Sequence, residues 1–266
     1  MKWLKVGAVV FMSVAFTTLA IDAADTLSGS KSTLLGQLIS TESSACPDGM
    51  LAVPVAQSFD CVDEYEATAS PDCPYPQPNN TQQSSSNISN PDCKSISEKD
   101  EIPWRFVTRE QAATACLRSG KRLITSAEWH LIAAGTPDTK VCNIESSGAK
   151  PSGENELCKS AVGVKDTIGN VWEWTSDDVI EGKYQGREVP ESGYVAQVDS
   201  GGFPTMTNNT ASGLFFEDYF WSEREGAYGV LRGGFYGSKS DAGMYSTHAQ
   251  TLPTVSGTAI GFRCVI

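Results

Sequence analysis

Apolar and polar positions alternate over short stretches along most of this chain, and two segments carry a helical pattern instead. The first is "VTREQAATACLRSGKRL" at 107–123, where Thr108 faces Gln111 in a capping box and Gly120 is placed to stop the helix. A second capping box, Thr125 with Glu128 in "ITSAEWHLIAAG", opens a helix that ends before Gly135. Ahead of both, "CPDGMLAVPVAQSFDCVDEYEAT" at 46–68 reads as two strands. Met50, Leu51, Val53 and Val55 are the apolar positions of the first, and Cys61, Val62 and Tyr65 lie in the return. Beyond Gly135, Gly, Ser, Pro and Asn recur every few residues, which predicts short strands and long loops. "IGNVWEWTS" and "YGVLRGGF" are the candidate core strands of that half. The pattern predicts an α+β domain, two short helices with small antiparallel sheets and much irregular loop.

Two segments stand outside the pattern. Residues 70–103 are dense in Pro, Asn, Ser and Gln, a composition that cannot bury a core, and are expected to form a low-complexity surface loop. At the N-terminus, Lys2 and Lys5 precede an apolar run from Val6 to Ala20 and then small residues, the pattern of a secretory signal peptide over 1–23. The run is shorter than the roughly 20 residues a membrane span needs, and no second one follows. A flexible polar segment over 24–43 then leads into a single domain at 44–266. The mature chain is expected to be secreted, periplasmic or at the cell surface, with no membrane span.

Composition narrows the partners and the chemistry. A formal charge of −12 and the lack of a basic cluster exclude nucleic acid. Eight cysteines in an exported chain predict four disulfides. Zinc is the rival reading, but there is no Cys-x-x-Cys pair, and His130 and His248 are the only histidines. Cysteine count leaves the pairing open; Cys46 with Cys61 can staple the first two strands, and Cys73 with Cys93 can close the neck of the polar loop.

Four motifs in order, "GKRLITSAEW" (120–129), "DTIGNVWEWTSD" (166–177), "VLRGGF" (230–235) and "GFRC" (261–264), resemble the formylglycine-generating enzyme, or sulfatase-modifying factor, family. The resemblance runs from about Cys46 to the C-terminus and implies a loop-rich variant of the C-type lectin-like fold. It also implies a bridge from Cys116 to Cys264, which leaves Cys142 and Cys158 to bracket one Gly/Ser-rich loop. The Gly-Asn-x-Trp-Glu-Trp motif resembles the family's structural calcium site. It would use the carboxylates of Asp166 and Glu173 and the carbonyls of Gly169 and Val171, hard oxygen donors of the kind calcium takes. The alternative is that Glu173 pairs with a buried arginine while the tryptophans fill the core. Asn143 and Ile144 resemble part of a second site.

The family's oxidases use two thiols after the Gly-Gly to hold Cu(I) and attack a substrate cysteine. Here those positions are Ser238 and Gly243, so no copper is expected. No nucleophile or companion acid can be assigned to His248, and Glu217/Asp218 and Asp177/Asp178 read as solvated loop charges. A non-catalytic binding module explains more, with an oxidase or other enzyme of the family as the alternative. The C-terminal segment resembles the variable proteins of diversity-generating retroelements. Arg232, Gly233, Gly234, Ala242, Gly243, Pro253, Ile260, Gly261, Phe262 and Arg263 match their scaffold. Their exchangeable sites fall on Tyr236, Gly237, Ser238, Asp241, Tyr245, His248, Thr251, Val255, Gly257 and Ala259, a mixture of rigid Tyr and adaptable small polar residues like that of a paratope. Phe215, Phe216, Tyr219, Phe220 and Trp221 extend that surface or fill the core; the pattern leaves both open. The expected ligand is an extracellular protein or surface glycan. The motifs of calcium-dependent sugar binding are missing: "QPN" at 77–79 and "NPD" at 90–92 lie in the polar segment without a partner motif.

Overall fold

The computed structural model describes residues 46–266; the expected signal peptide (1–23) and flexible segment (24–43) lie outside the described residues. The strand pair read at 46–68 forms as β1 (Met50–Ala52) and β2 (Cys61–Asp63), antiparallel, with Leu51 opposite Val62. Next come β3 (Ala67–Ala69) and β4 (Ser95–Ser97), which pair with each other, and between them α1 (Thr81–Ser89).

A helix and a paired strand therefore stand where composition predicts only loop, and the expectation for 70–103 is corrected. The polar side chains bury because each satisfies backbone that would otherwise be orphaned. Asn80 caps α1 by accepting from the Gln83 N–H. Asn87, fully buried, clasps Tyr75 from both sides, accepting from its N–H at 2.9 Å and donating to its carbonyl at 2.8 Å. Ser84 donates to the Arg105 carbonyl and accepts from Trp104 Nε1. Cys73 and Cys93 join the flanks, both buried.

Both expected helices form with their capping boxes, α2 (Arg109–Arg118) behind Thr108 and α3 (Ser126–Ala133) behind Thr125, separated by β5 (Arg122–Leu123). The C-terminal half supplies β6 (Trp172–Ile180), β7 (Lys183–Tyr184), β8 (Arg187–Glu188), β9 (Gly193–Val198) and β10 (Pro204–Asn208). It continues with β11 (Tyr219–Ser222), β12 (Ala227–Arg232), β13 (Thr247–Thr251), β14 (Ile260–Phe262) and β15 (Cys264–Val265). The class is α+β, as expected. A four-stranded sheet runs β1-β2-β15-β5, and a nine-stranded one runs β10-β9-β11-β13-β12-β6-β7-β8 with β14 also on β6. The pairings β11–β13 and β14–β6 are parallel.

The apolar positions collect on both faces of the larger sheet. Trp104, Trp174, Leu231 and Phe262 pack with the α2 side chains Ala112, Ala115 and Cys116 on one face. Val179, Val195, Phe203, Phe220 and Val230 fill the other. A third cluster seats Trp129 and Ile132 of α3 against Val62 and Val265 of the smaller sheet. Cys116 is joined to Cys264 across a separation of 148 residues, and Cys142 to Cys158. Cys46 and Cys61 are disulfide-bonded as well, so no described cysteine is free. Among the described residues no helix is long and apolar enough to cross a membrane.

Candidate functional site

Two fully buried arginines hold the ends of the segment 235–259. Arg232, at the end of β12, donates to the carbonyls of Gly202 and Met244 and to the Thr247 hydroxyl, and lies 5.1 Å over the Trp129 ring. Burial lowers its pKa to about 10. The chain then turns through Gly233 and Gly234 at φ +92° and +86°, a left-handed conformation that disfavours any other residue. A Cβ on Gly234 would also run into Ala242. Beyond the segment, Arg263 forms a 2.8 Å ion pair with Glu173 and donates to the carbonyls of Asp63, Glu64 and Lys165. Its neighbour Cys264 is bridged to α2.

None of the ten candidate contact positions between these anchors is buried; Gly237 and Val255 are exposed and the rest intermediate. Eight of them fall into four groups. Tyr236 sits on the loop bearing Asn170, its N–H bonded to the Asn170 carbonyl, with Ser238 accepting from the Phe235 N–H and Asp241 in the following turn. Gly257 and Ala259 anchor the far end through bonds from the Phe106 and Trp172 N–H groups, and Arg105 bridges back to Thr258. Tyr245 packs between Phe215 and His130, with Phe216 farther out. His248 and Thr251 are hydrogen-bonded to each other at 2.9 Å.

The aromatic cluster of "GLFFEDYFWSE" divides between surface and core. Phe220 is fully buried and Phe216 is 52% exposed, while Phe215, Tyr219 and Trp221 lie between. Alternation along β11 explains the split, because Phe220 faces the core and its two neighbours face the other way. Trp221 stacks on His248, Trp172 meets both edge-on, and the row continues through Tyr219 to Tyr194 at centroid spacings of 4.7 and 5.2 Å. His248 is thus a half-buried member of an aromatic row, with burial holding its pKa near 4. Tyr194 escaped the sequence reading because strand register, not spacing, brings it opposite Tyr219.

Asp218 is not the solvated loop charge expected of it: it is fully buried. One oxygen accepts from the Tyr245 N–H at 2.7 Å. The other, like one oxygen of Asp138, has no donor, and the two carboxyls act on each other electrostatically. A proton shared between them would satisfy both. Burial raises both acids, Asp138 to about 7, and the Asp138 charge raises Asp218 further. This carboxyl lies against Gly243, where a Cβ would collide with it, so position 243 is closed to any side chain. Asp177 and Asp178 are also engaged, Asp177 accepting from the Ser126 N–H and Tyr184 hydroxyl and Asp178 pairing with Arg109.

Of the residues proposed for calcium, Glu173 is already engaged within the protein. Both Glu173 oxygens are taken, by Arg263 and by the Trp129 indole N–H, and the side chain is 1% exposed. This is the arginine-paired arrangement that the sequence left as the alternative. Asp166 accepts from the Gly153 N–H at 2.6 Å, and burial raises it to about 6. The Gly169 and Val171 N–H groups bond to the Gly233 carbonyl and to Glu66. Asp166 does line a polar cavity of about 420 Å³ with Asn143 and Asn170, but among the described residues no group of three or more His, Cys, Asp or Glu could hold a metal ion.

Residues 143–266 match the family model described as a sulfatase-modifying factor enzyme 1-like domain. Among solved structures it is similar to the Major Tropism Determinant U1 variant, at 17% identity and a TM-score of 0.46 over 83% of this chain and 53% of that one. It is also similar to Treponema denticola variable protein 1, at 15% identity and a TM-score of 0.43 over 81% and 90%. CarF gives 16% identity and a TM-score of 0.42 over 77% and 85%. The chain spans about half the length of the Major Tropism Determinant chains it resembles. No curated protein matches it.

Proposed function

We propose that this domain is an extracellular binding module that presents residues 236–259 to a protein or glycan ligand and performs no oxidation of its own. One observation carries the reading: a frame of buried residues (Arg232, Gly233, Gly234, Ala242, Phe262, Arg263 and Cys264) supports a segment in which none of the ten candidate positions is buried. A stable frame under a tolerant, partly exposed loop is the division of labour that binding loops use. Ser238 and Gly243 supply no thiolate, and every described cysteine is in a disulfide, which speaks against the oxidase alternative. Export to an oxidising compartment accords with that full pairing.

A library tests the reading without a known ligand. Randomising the ten positions should leave most members resistant to protease and allow selection of binders to an unrelated protein. Randomising the seven frame positions should leave few folded. If the two libraries lose folded members equally, the reading is wrong.

A further inference from the structure

The row of rings formed by Tyr194, Tyr219, Trp221, His248 and Trp172 extends the candidate surface beyond the C-terminal segment, onto β9 and β11. Trp172 is 7% exposed and roots the row in the core, whereas the other four rings are half-buried, with one flank toward solvent. Rings fixed in this way contribute contact area with little loss of rotamer freedom, and Trp and Tyr are the residues that dominate interfaces.

The stretch that carries most of the row has an excess of negative charge. Residues 189–260 hold seven acidic side chains against three basic ones. Asp218 and Arg232 are buried and Asp199 is paired with Arg187 from outside the stretch, which leaves five acids against Arg224 and Lys239 outside the core. Glu217 precedes Tyr219 by two residues and Glu223 follows Trp221 by two, and Glu217, Glu223, Glu225 and Glu191 are all exposed. Arg224 and Glu191 lie 3.7 Å apart and offset each other, which leaves Glu217, Glu223, Glu225 and Asp241 against Lys239. His248 itself is neutral above about pH 5, because burial holds its pKa near 4.

Resting on the display reading above, we infer that the ligand meets this row with a cationic face: a protein surface presenting arginine or lysine side chains, whose charged heads stack on Trp221 and Tyr219 inside the acidic rim. A cation over an indole or phenol face is attracted by the ring's quadrupole. The surrounding carboxylates steer such a partner and disfavour acidic ones. A neutral sugar would use the rings but gain nothing from the rim.

The test uses three synthetic peptides of mixed sequence and equal length, one bearing arginine and lysine, one neutral and one acidic, together with a pool of neutral oligosaccharides. Binding is followed by tryptophan fluorescence and calorimetry. The basic peptide is expected to bind, and the others not. Trp221→Ala should weaken it about fivefold, and Glu223→Gln with Glu225→Gln should lower both its affinity and its salt dependence. Leu117→Ala, which alters an exposed side chain on α2, should change nothing. Should Trp221→Ala fail to fold by circular dichroism, Tyr219→Ser reads the same row. Equal binding of basic and neutral peptides overturns the inference, as does binding indifferent to the Trp221 and Tyr219 changes, or Trp221-dependent binding of the oligosaccharides alone. None of these results touches the library experiment, so the display reading can survive the loss of this one.

Discussion

The Asp138–Asp218 pair makes stability depend on pH in a direction opposite to ordinary surface carboxylates, and replacing Asp138 by Asn isolates it. In the folded chain Asp138 is raised from 3.8 to about 7, chiefly by burial, and Asp218 is raised further by burial and by the Asp138 charge. The charged groups facing the pair are Arg232, which acts on Asp218, and the two acids themselves. An acid whose folded pKa lies above its unfolded one binds its proton more tightly when folded. Its contribution is therefore fully present below about pH 4 and lost as pH rises through about 7. A shift of about 3 units corresponds to about 4 kcal/mol at most. Because Asp138 is only partly buried, solvent screening roughly halves that, to about 2 kcal/mol. Asn at 138 keeps a donor for the orphaned Asp218 oxygen and carries no charge. Urea unfolding with the disulfides intact should give similar midpoints for the two proteins at pH 4. At pH 8 Asp138→Asn should be the more stable by about 2 kcal/mol. Both histidines are neutral in the folded and unfolded chain above about pH 7, so they do not blur the upper end of the comparison. A difference that stays constant from pH 4 to pH 8, or one that favours the wild type at pH 8, would refute the shared-proton assignment.

Four further outcomes follow from the same geometry. His130 and His248 are both held near 4 by burial, below their unfolded value of 6.5, so the stability they contribute should fall as pH drops from about 6.5 to 4, and His248→Gln should flatten that limb. Glu173→Gln leaves Arg263 buried without its counter-ion and should cost about 3 to 5 kcal/mol in thermal or urea unfolding, with or without added calcium. Arg232→Ala and Gly234→Val should abolish folding or nearly so, whereas Ser238→Ala and Thr251→Ala should change stability by less than about 0.5 kcal/mol. Losing the Cys116–Cys264 bridge by a Cys116→Ala, Cys264→Ala double substitution should cost on the order of 4 to 5 kcal/mol, given the 148-residue separation it spans.

What the sequence made legible was whatever is decided within a few residues. Capping boxes are local, and both appear where Thr108 and Thr125 place them. The motifs likewise mark the anchors: Lys121 of Gly-Lys-Arg-Leu reaches Asp63 at 2.6 Å, Arg122 grips Glu128, and Arg263 of Gly-Phe-Arg-Cys grips Glu173. The failures share one physical cause. Composition treats Ser and Asn as loop formers because their side chains compete for backbone hydrogen bonds. In α1 and its flanks that same ability, turned on Tyr75, Arg105 and Trp104, is what allows Asn87 and Ser84 to be buried. Asp218 was misread for a related reason: nothing adjacent in sequence announces Asp138, 80 residues earlier, as its partner. Glu173 shows the converse, since its spacing from Asp166 suits a cation, yet the cation that the fold brings to it is Arg263 from the C-terminal motif. Sequence spacing names the groups that need a partner, and the sheet register decides which partner arrives. Strand β14 runs parallel beside β6 with Gly261 opposite Glu173, and that one pairing delivers Arg263 to the carboxylate and Cys264 to α2 while leaving the chain before Ile260 free to face outward. The anchoring of the candidate surface and the occupation of the expected metal ligand are therefore two results of the same register.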